Sequence, residues 1–429
     1  MCGIAGIITI KNSKIDSTVV ENVKRSLEHR GPDHSSHQFI KESVCLIHTR
    51  LSIIDLNDRS NQPFQSNDER YTIVFNGEIY NYKELRKELE TKGHKFLTNG
   101  DTEVLLQGYI EYEEKILNKL RGQFAFVIYD KITNELFMAR DRIGIKPLYY
   151  SVNDNWILFG SEIKAIELSK LIEFEPDIDS YLAYLRHLCV PADSTGNKNI
   201  KKLEPGQFIR IDKNGKVSKK IYWDPFSFSV NHNLNEKTVA EELDRLINES
   251  VEYRKVSDVE VGLFLSGGLD SSLIGKLMKQ NSASSLKAFN VDFEENFEGY
   301  KGELKEARYA SREIGINLHE EKINFDNFRE IFDNYAYYQD DLVGDEVGIP
   351  LYFLGKSSRS SGIKVVLVGE GSDELFYGYD HWNRLLKLSK YKKPYSSTNN
   401  KFSQLSNHRL NLLSNIVTGR TTFAGGALG

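Results

Sequence analysis

The pattern of apolar residues changes once along this chain, and that change limits the folds open to it. Up to about Ile166 the sequence predicts many short strands with few helices, because β-branched and aromatic runs are bounded by Gly, Asn and Asp. From Lys237 strands and helices alternate, which is typical of a parallel sheet covered by helices on both faces. The 429 residues therefore predict an α+β domain at 2–166, a linker and packing segment at 167–236, and an α/β domain at 237–429.

The individual elements follow from strand-like runs and from apolar residues at helical spacing. In the first half these patterns predict strands at 4–10, 44–48, 72–75, 124–129, 135–139 and 156–159, and helices near 17–29, 82–92 and 103–113. In the second half they predict a helix over 239–251, strands at 261–265, 286–293 and 364–368, and helices from Ser271, around 303–314 and around 349–359. The segment between the halves holds a turn and a hairpin, and the residues after Asp373 are mostly helical and polar.

Charge and cysteine content exclude several classes of function. The chain has 56 basic and 61 acidic residues, and its net charge of -5 offers no footprint for nucleic acid or an anionic membrane. Cys2, Cys45 and Cys189 lie too far apart for a disulfide framework or a zinc site, which indicates a reducing compartment. No signal peptide is recognisable, and the longest apolar runs are too short to span a bilayer. We therefore expect a cytoplasmic protein.

Cys2 is followed by a glycine and precedes a predicted strand. Methionine is removed before small residues, which would leave Cys2 as the first residue of the chain. Its own α-amine, with an ordinary pKa near ~8, can then act as the base for the thiol. The alternative is a small apolar residue in the first strand, which is the commoner role of a free cysteine.

Other segments of the first half carry groups that such a nucleophile could use. HRGPD at 29–33 predicts a turn. Arg50, in HTRLSIID, stands at a strand end, where it either clamps a carboxylate or makes a surface ion pair. Asn76 and Gly77, in FNGEIYN, form either a type I′ turn or an oxyanion hole. Asp101, in NGDTEVLL, either caps a helix or binds an ammonium group.

In their order and spacing these segments resemble the class II glutamine amidotransferase domain, an N-terminal-nucleophile fold built as an αββα sandwich. The resemblance covers 2–166 and includes LRGQFAFVIYD, ARDRIGIKPLYY and FGSEIKAI. It implies that Cys2 attacks the side-chain carboxamide of glutamine. It further implies that Asn76 and Gly77 stabilise the oxyanion, that Arg50 binds the α-carboxylate, that Glu78 and Asp101 hold the α-amine, and that Leu51, Ser52, Ile53 and Ile54 line the pocket.

A second group of motifs follows Lys237. LFLSGGLDSS at 263–272 joins a strand to a helix, and its small residues suit a turn whose N–H groups face an anion, although it lacks the lysine of a Walker A loop. Asp270 would repel an anion there unless a cation lies between them, so the sequence predicts Mg²⁺. A plain glycine-rich connection, the alternative, leaves Asp270 unexplained. VVLVGEGSDELF at 365–376 is a second strand–turn–helix, and parallel strands bring both loops to one crevice.

Together with YYQDDLVGDEVGIPLYFL at 337–354, these motifs resemble the ATP-pyrophosphatase domain of asparagine synthetases over 237–379. Val368, Tyr377 and Asp292 depart from residues common at these positions in the family. The family's catalytic lysine lies further along than this sequence extends, so we expect the sequence to be truncated. The resemblance implies Phe264 and Val291 at the adenine, Ser266, Gly267, Gly268, Asp270 and Ser271 at the pyrophosphate, Val368 and Gly369 at the nucleotide, Asp270 and Asp373 at Mg²⁺, and Glu370 assisting acyl-adenylate formation.

The two resemblances imply one glutamine-hydrolysing, ATP-dependent amide ligase. With aspartate as the carboxylate substrate, it would convert aspartate, ATP and glutamine into asparagine, AMP, pyrophosphate and glutamate, with ATP and Mg²⁺ required. Two alternatives stay open: the same mechanism acting on another carboxylate, on a surface-polysaccharide sugar or a peptide, and a fragment that is only a glutaminase or a binding remnant. We expect small-molecule partners and neither nucleic acid nor membrane. The oligomeric state stays open, with a homodimer as one option.

Overall fold

The computed structural model describes residues 1–11, 13–229, 233–280, 285–294, 302–345, 347–380 and 382–384. Predictions that fall on 385–429 lie outside the described residues. The strands of the first half are β1 (Gly3–Thr9), β2 (His34–Lys41), β3 (Val44–Arg50), β4 (Phe64–Gln65), β5 (Tyr71–Ile79), β6 (Gly122–Asp130), β7 (Glu135–Arg140), β8 (Tyr149–Val152), β9 (Trp156–Gly160), β10 (Lys201–Lys202), β11 (Gln207–Ile211) and β12 (Val217–Ile221). Its helices are α1 (Ser17–Ser26), α2 (Tyr82–Thr91), α3 (Asp101–Tyr112), α4 (Ile116–Lys119), α5 (Ile163–Glu167) and α6 (Ile178–His187).

Within the described residues, the strands of the first half form two six-stranded antiparallel sheets, in the orders β10-β8-β9-β1-β3-β2 and β12-β11-β7-β6-β5-β4. A buried cluster that includes Ile4 and Leu46 from one sheet and Val127 and Met138 from the other fills the space between them. Because side chains alternate along a strand, the opposite faces stay free to bury helices. Helices α1 and α5 cover the first sheet, and α2, α3 and α4 cover the second. The predicted αββα sandwich is confirmed.

The segment 167–236 contributes to both halves. The predicted hairpin exists as β11 and β12, and it extends the second sheet beyond β7. Strand β10 adds to the edge of the first sheet. After α6, the carbonyl oxygen of Leu188 accepts a hydrogen bond of 2.7 Å from the Gly344 N–H of the second half. Much of this segment is therefore sheet and packing surface.

The second half is a parallel sheet of strands β13 (Val261–Phe264), β14 (Lys287–Phe293), β15 (Asn317–Ile323) and β16 (Val365–Leu367), in the order β15-β14-β13-β16. Leu263 and Ala288 pack with helices on one face, whereas Val291 and Phe293 pack with others on the opposite face. The predicted α/β arrangement is thus confirmed. The helices are α7 (Glu236–Arg254), α8 (Leu269–Gln280), α9 (Leu304–Ile314), α10 (Phe325–Gln339), α11 (Gly348–Ser360) and α12 (Ser372–Phe376).

The strand order reverses at β13. The chain proceeds from β13 to β14 and β15 on one side, and β16 then pairs in parallel with the other side of β13. The carboxyl ends of β13 and β16 therefore border the crevice in which open α/β sheets bind ligands. None of the helices within the described residues is long and apolar enough to cross a membrane.

Candidate active site

A cavity of about 270 Å³ opens in the first half beside the start of β1. It contains most of the residues predicted to handle glutamine, and one wall comes from the second half. Ser52 is the predicted pocket residue that does not line it, since its backbone instead faces Asp33. The lining includes Cys2, Arg50, Leu51, Ile53, Ile54, Asn76, Gly77, Glu78 and Asp101, together with Lys146, Arg254, Lys364, Val365, Val366 and Leu367.

Cys2 sits at the entry to β1, with its thiol against the backbone of Leu51. The Leu51 N–H points to Sγ at 3.4 Å, and Sγ lies 3.7 Å from the Leu51 carbonyl oxygen. Burial raises the pKa of the Cys2 thiol, so it needs a nearby base. Burial also lowers the pKa of the Met1 α-amine beside it to about 6. The Met1 α-amine is therefore largely neutral at pH 7.

Asn76 is fully buried, and both its Oδ1 and its Nδ2 lack a hydrogen-bond partner within the described residues. Such an amide is expensive to bury unless a ligand satisfies it. Asn76 and Gly77 lie inside β5, paired with Ala125 and Phe124 of β6, so a type I′ turn at this place is wrong. Position 77 requires glycine, because a Cβ there would clash with the Gln123 carbonyl oxygen at 2.1 Å.

Arg50 ends β3, as predicted, but its guanidinium is held by the protein itself. Nη1 donates to the Asn57 carbonyl oxygen at 3.0 Å and to Asn61 Oδ1 at 2.7 Å, and Nη2 donates to the carbonyl oxygens of Ile54 and Asp55. All these acceptors are neutral, and the buried guanidinium forms no ion pair within the described residues, although its charge acts on nearby Asp101. A surface ion pair is therefore the wrong interpretation. A carboxylate ligand would meet this charge and compete for the Nη protons.

Two carboxylates, Glu78 and Asp101, face the same cavity, and neither forms an ion pair within the described residues, although the charge of Lys146 acts on Glu78 and that of Arg50 on Asp101. Burial, with repulsion from Asp101, raises the pKa of Glu78 to about 7. Burial raises the pKa of Asp101 to about 6, although its Oδ2 accepts a hydrogen bond of 2.9 Å from the Ile79 N–H. Asp101 is the first residue of α3, and Gly100 occupies the cap position, so the capping role is wrong. Such a pair suits a ligand ammonium group.

Some lining residues escaped sequence reasoning. Lys146 lies in the motif ARDRIGIKPLYY, yet nothing in its neighbours along the chain marks it as a pocket residue. Burial lowers its pKa, and its charge lies near Glu78 and the Cys2 thiol. Arg254 and Lys364 reach the cavity from α7 and from the start of β16. Only folding brings them there, so no local pattern could have identified them.

The predicted pyrophosphate loop joins β13 to α8, which begins at Leu269 rather than Ser271. Ser266 and Ser271 fix its shape, with their hydroxyl oxygens 2.9 Å apart. Gly267 has a positive φ of 85°, and a Cβ there would lie 2.3 Å from the backbone of Glu306, so glycine is required. The backbone of this turn stays near the N-terminus of a twelve-residue helix, a favourable place for an anion.

The loop after β16 carries Glu370, and we call it the acid-bearing loop; it touches the pyrophosphate loop. A Cβ on Gly369 would lie 3.1 Å from Asp270 Cβ, so the loops after β13 and β16 meet as expected. Burial and repulsion from Asp373 raise the pKa of Asp270, and burial also raises that of Glu370. None of these three carboxylates forms an ion pair within the described residues. An uncompensated set of oxygen donors fits Mg²⁺, although no group of three or more potential ligands is gathered there in the part described.

The remaining predicted nucleotide residues lie around the same crevice. Phe264 ends β13 and is half-buried, and Val291 lies on the adjacent strand β14. Val368, directly after β16, is 39% exposed and therefore available for contact. The predicted helix of this motif is α12, and Asp373 and Glu374 lie in its first turn. Their roles toward ATP stay predictions.

Comparison with known proteins assigns both halves. The family model described as a glutamine amidotransferase domain matches residues 1–223, and the one described as asparagine synthase matches residues 242–424. The glutamine-hydrolysing asparagine synthetase 1 of Bacillus subtilis is 37% identical over 92% of this chain and 61% of its own length. A putative asparagine synthetase of Methanocaldococcus jannaschii is 33% identical over 88% of this chain and 76% of its own.

A relative with a different printed name is also similar. The amidase chry2 of Gibberella zeae is 33% identical over 89% of this chain and 60% of its own length. The chain thus spans about three fifths of the length of the first and last of these relatives.

Proposed function

Because this chain belongs to the asparagine synthetase family, we propose that the protein of which it forms part transfers the amide nitrogen of glutamine to an ATP-activated carboxylate. One observation carries the glutamine half of the proposal. The unpartnered amide of Asn76, the thiol of Cys2 and the unpaired carboxylates of Glu78 and Asp101 share one cavity. Hydrolysis of the glutamine side-chain amide uses a nucleophile and an oxyanion donor, and an ammonium site recognises the α-amine of the substrate.

In the proposed first reaction, removal of Met1 frees the α-amine of Cys2, which takes the thiol proton. Sγ attacks the glutamine carboxamide carbon, and the oxyanion accepts hydrogen bonds from Asn76 Nδ2 and the Gly77 N–H. The protonated Cys2 amine returns its proton to the leaving nitrogen, so ammonia departs and a thioester remains. Water then hydrolyses the thioester, releasing glutamate and restoring the thiol. Arg50, Glu78 and Asp101 hold the substrate's α-carboxylate and α-amine.

In the proposed second reaction, the substrate carboxylate attacks the α-phosphorus of ATP and displaces pyrophosphate. The turn from Ser266 to Ser271 holds the pyrophosphate through N–H and hydroxyl groups. Asp270 and Asp373 would hold Mg²⁺, which when bound neutralises the phosphate charge, and Glu370 assists adenylation. Ammonia attacks the acyl carbon of the acyl-adenylate and AMP leaves. The amide product and one proton complete the balance.

Ammonia must reach this crevice unprotonated, and the shape of the glutamine cavity supports a direct route. Part of its lining comes from Val365, Val366 and Leu367, which constitute β16. The loop that follows β16 carries Val368 and Glu370 at the second site. We propose that the two sites communicate alongside β16.

Aspartate is the proposed carboxylate, since relatives are named asparagine synthetases. The similarity to a protein named amidase keeps another carboxylate as the second candidate. The test supplies the full-length protein with amide-¹⁵N glutamine, ATP, Mg²⁺ and aspartate, and follows the label by mass spectrometry. Labelled asparagine supports aspartate. Pyrophosphate release without labelled asparagine overturns this acceptor, and absence of glutamate release overturns the first reaction.

A further inference from the structure

The loop after β3, Leu51–Asp55, forms one side of the glutamine cavity and contacts the nucleophile. Leu51, Ile53 and Ile54 line the cavity, and the Leu51 backbone holds the thiol of Cys2. We call this segment the glutamine loop. It lacks regular secondary structure, so its shape depends on what binds its backbone.

Two contacts from the second half fix that backbone. The Asp258 N–H donates to the Ile53 carbonyl oxygen at 2.9 Å, and the Asp55 N–H donates to Asp258 Oδ2 at 2.7 Å. Asp258 therefore holds the end of the loop through both its backbone N–H and its carboxylate. Asp55 has a positive φ of 47°, an uncommon conformation for a residue with a Cβ, and its carboxylate also accepts hydrogen bonds from the Ser60 hydroxyl and the Asn99 N–H.

The start of the loop is held through an ion pair. The Ser52 N–H donates to Asp33 Oδ2 at 2.8 Å, and Lys364 Nζ donates to the same oxygen at 2.8 Å. Lys364 thereby orients the carboxylate of Asp33 and holds Ser52 in place. The pKa of Asp33 is lowered, because the hydrogen bonds from Lys364 and Ser52 outweigh the opposing effect of its burial.

Both contacts come from the strands that lead to the second site. Asp258 lies three residues before the first residue of β13, and Lys364 directly precedes β16. These neighbouring parallel strands carry the pyrophosphate loop and the acid-bearing loop at their other ends. We infer that Asp258 and Lys364 are positioning residues of the glutamine pocket, so that the second half of the chain sets the affinity of the first half for glutamine. This inference rests on the proposed function.

The prediction concerns KM for glutamine, with kcat nearly unchanged, because the residues shape the binding loop without touching the reacting atoms. In the full-length protein, Asp258→Ala and Lys364→Met should each raise KM about fivefold, the factor expected for one lost hydrogen bond. Asp258→Asn keeps an acceptor and Lys364→Arg keeps the charge, so both should stay within about twofold of the unchanged protein.

The matched control breaks another ion pair between the halves. Lys202 Nζ lies 2.6 Å from Asp341 Oδ2, far from the glutamine loop in the chain. Lys202→Met should leave KM for glutamine unchanged. Pyrophosphate release with added ammonia should be equal in all these variants, which excludes general misfolding.

Unchanged KM in both Asp258→Ala and Lys364→Met would overturn the inference, as would an equal rise in Lys202→Met. Cys2→Ala in the same assay tests the proposed function separately. If that variant still releases glutamate, the proposed function fails. The KM values of the Asp258 and Lys364 variants decide the inference about the glutamine loop separately from that result.

Discussion

Replacing Asn76 by leucine should separate stability from catalysis, because this amide makes no hydrogen bond within the described residues. Leucine has the same branched arrangement of side-chain heavy atoms and no polar atoms, so the substitution removes a buried donor and acceptor without breaking a bond. Each unsatisfied buried group costs about 1–3 kcal/mol, so the free energy of unfolding should stay equal or rise by about that amount. Loss of an oxyanion donor should lower kcat for glutamine about 100- to 1,000-fold.

The assay combines urea unfolding with glutamate release. Asn290 offers a matched control, since it is also buried with an unpartnered Oδ1, but its Nδ2 donates to the Leu265 carbonyl oxygen at 2.8 Å. Asn290→Leu loses this hydrogen bond, so its free energy of unfolding should change less favourably than that of Asn76→Leu by about 1 kcal/mol, and glutamate release should be unchanged. If Asn76→Leu lowers stability by more than about 1 kcal/mol, or keeps over a tenth of the rate, the reasoning on this amide is refuted.

Two further predictions concern unpaired carboxylates. The raised pKa of Glu78, about 7, means that the folded protein holds a proton that the unfolded chain has lost, so this group lowers stability as pH rises from about 4 to 7. In urea unfolding measured across this pH range, Glu78→Gln should lose less stability with rising pH than the unchanged protein, and it should raise KM for glutamine. An equal loss of stability with pH in both proteins would contradict the assignment. Asp270→Asn removes repulsion with Asp373 and should abolish Mg²⁺-dependent pyrophosphate release while leaving glutamate release intact. Retained pyrophosphate release would exclude Asp270 as a cation ligand.

Sequence patterns predicted the strands best where apolar residues form a continuous run. Strands β3, β6 and β9 lie within a residue or two of their predicted positions, because they are continuous buried runs. Strand β15 was missed because it is largely polar and only partly buried. Helix α10 was missed although Phe328, Ile331 and Tyr335 recur at helical spacing, so the sequence did carry a signal for it. Strand β2 was missed for the same reason as β15, since HSSHQFIK is mainly polar and half-buried.

Motifs predicted the site's inner residues, whereas its walls required the fold. The motif FNGEIYN was enough to propose Asn76 and Gly77 as oxyanion donors. Only the pairing of β5 with β6 shows that they lie inside a strand. The hydrogen bonds of Arg50 to backbone carbonyls depend on the path of the loop that follows it. Lys364 enters from more than three hundred residues along the chain, a distance that no local pattern bridges.

The central claim is that Cys2 makes ammonia for a carboxylate activated elsewhere. The direct test measures amide product formation by the full-length Cys2→Ala variant, once with glutamine and once with ammonium salt as the nitrogen source. We predict no product from glutamine and undiminished product from ammonia, because the variant lacks the thiol but keeps the second site. Loss of both activities, or product from glutamine, would contradict the division of labour between the two halves.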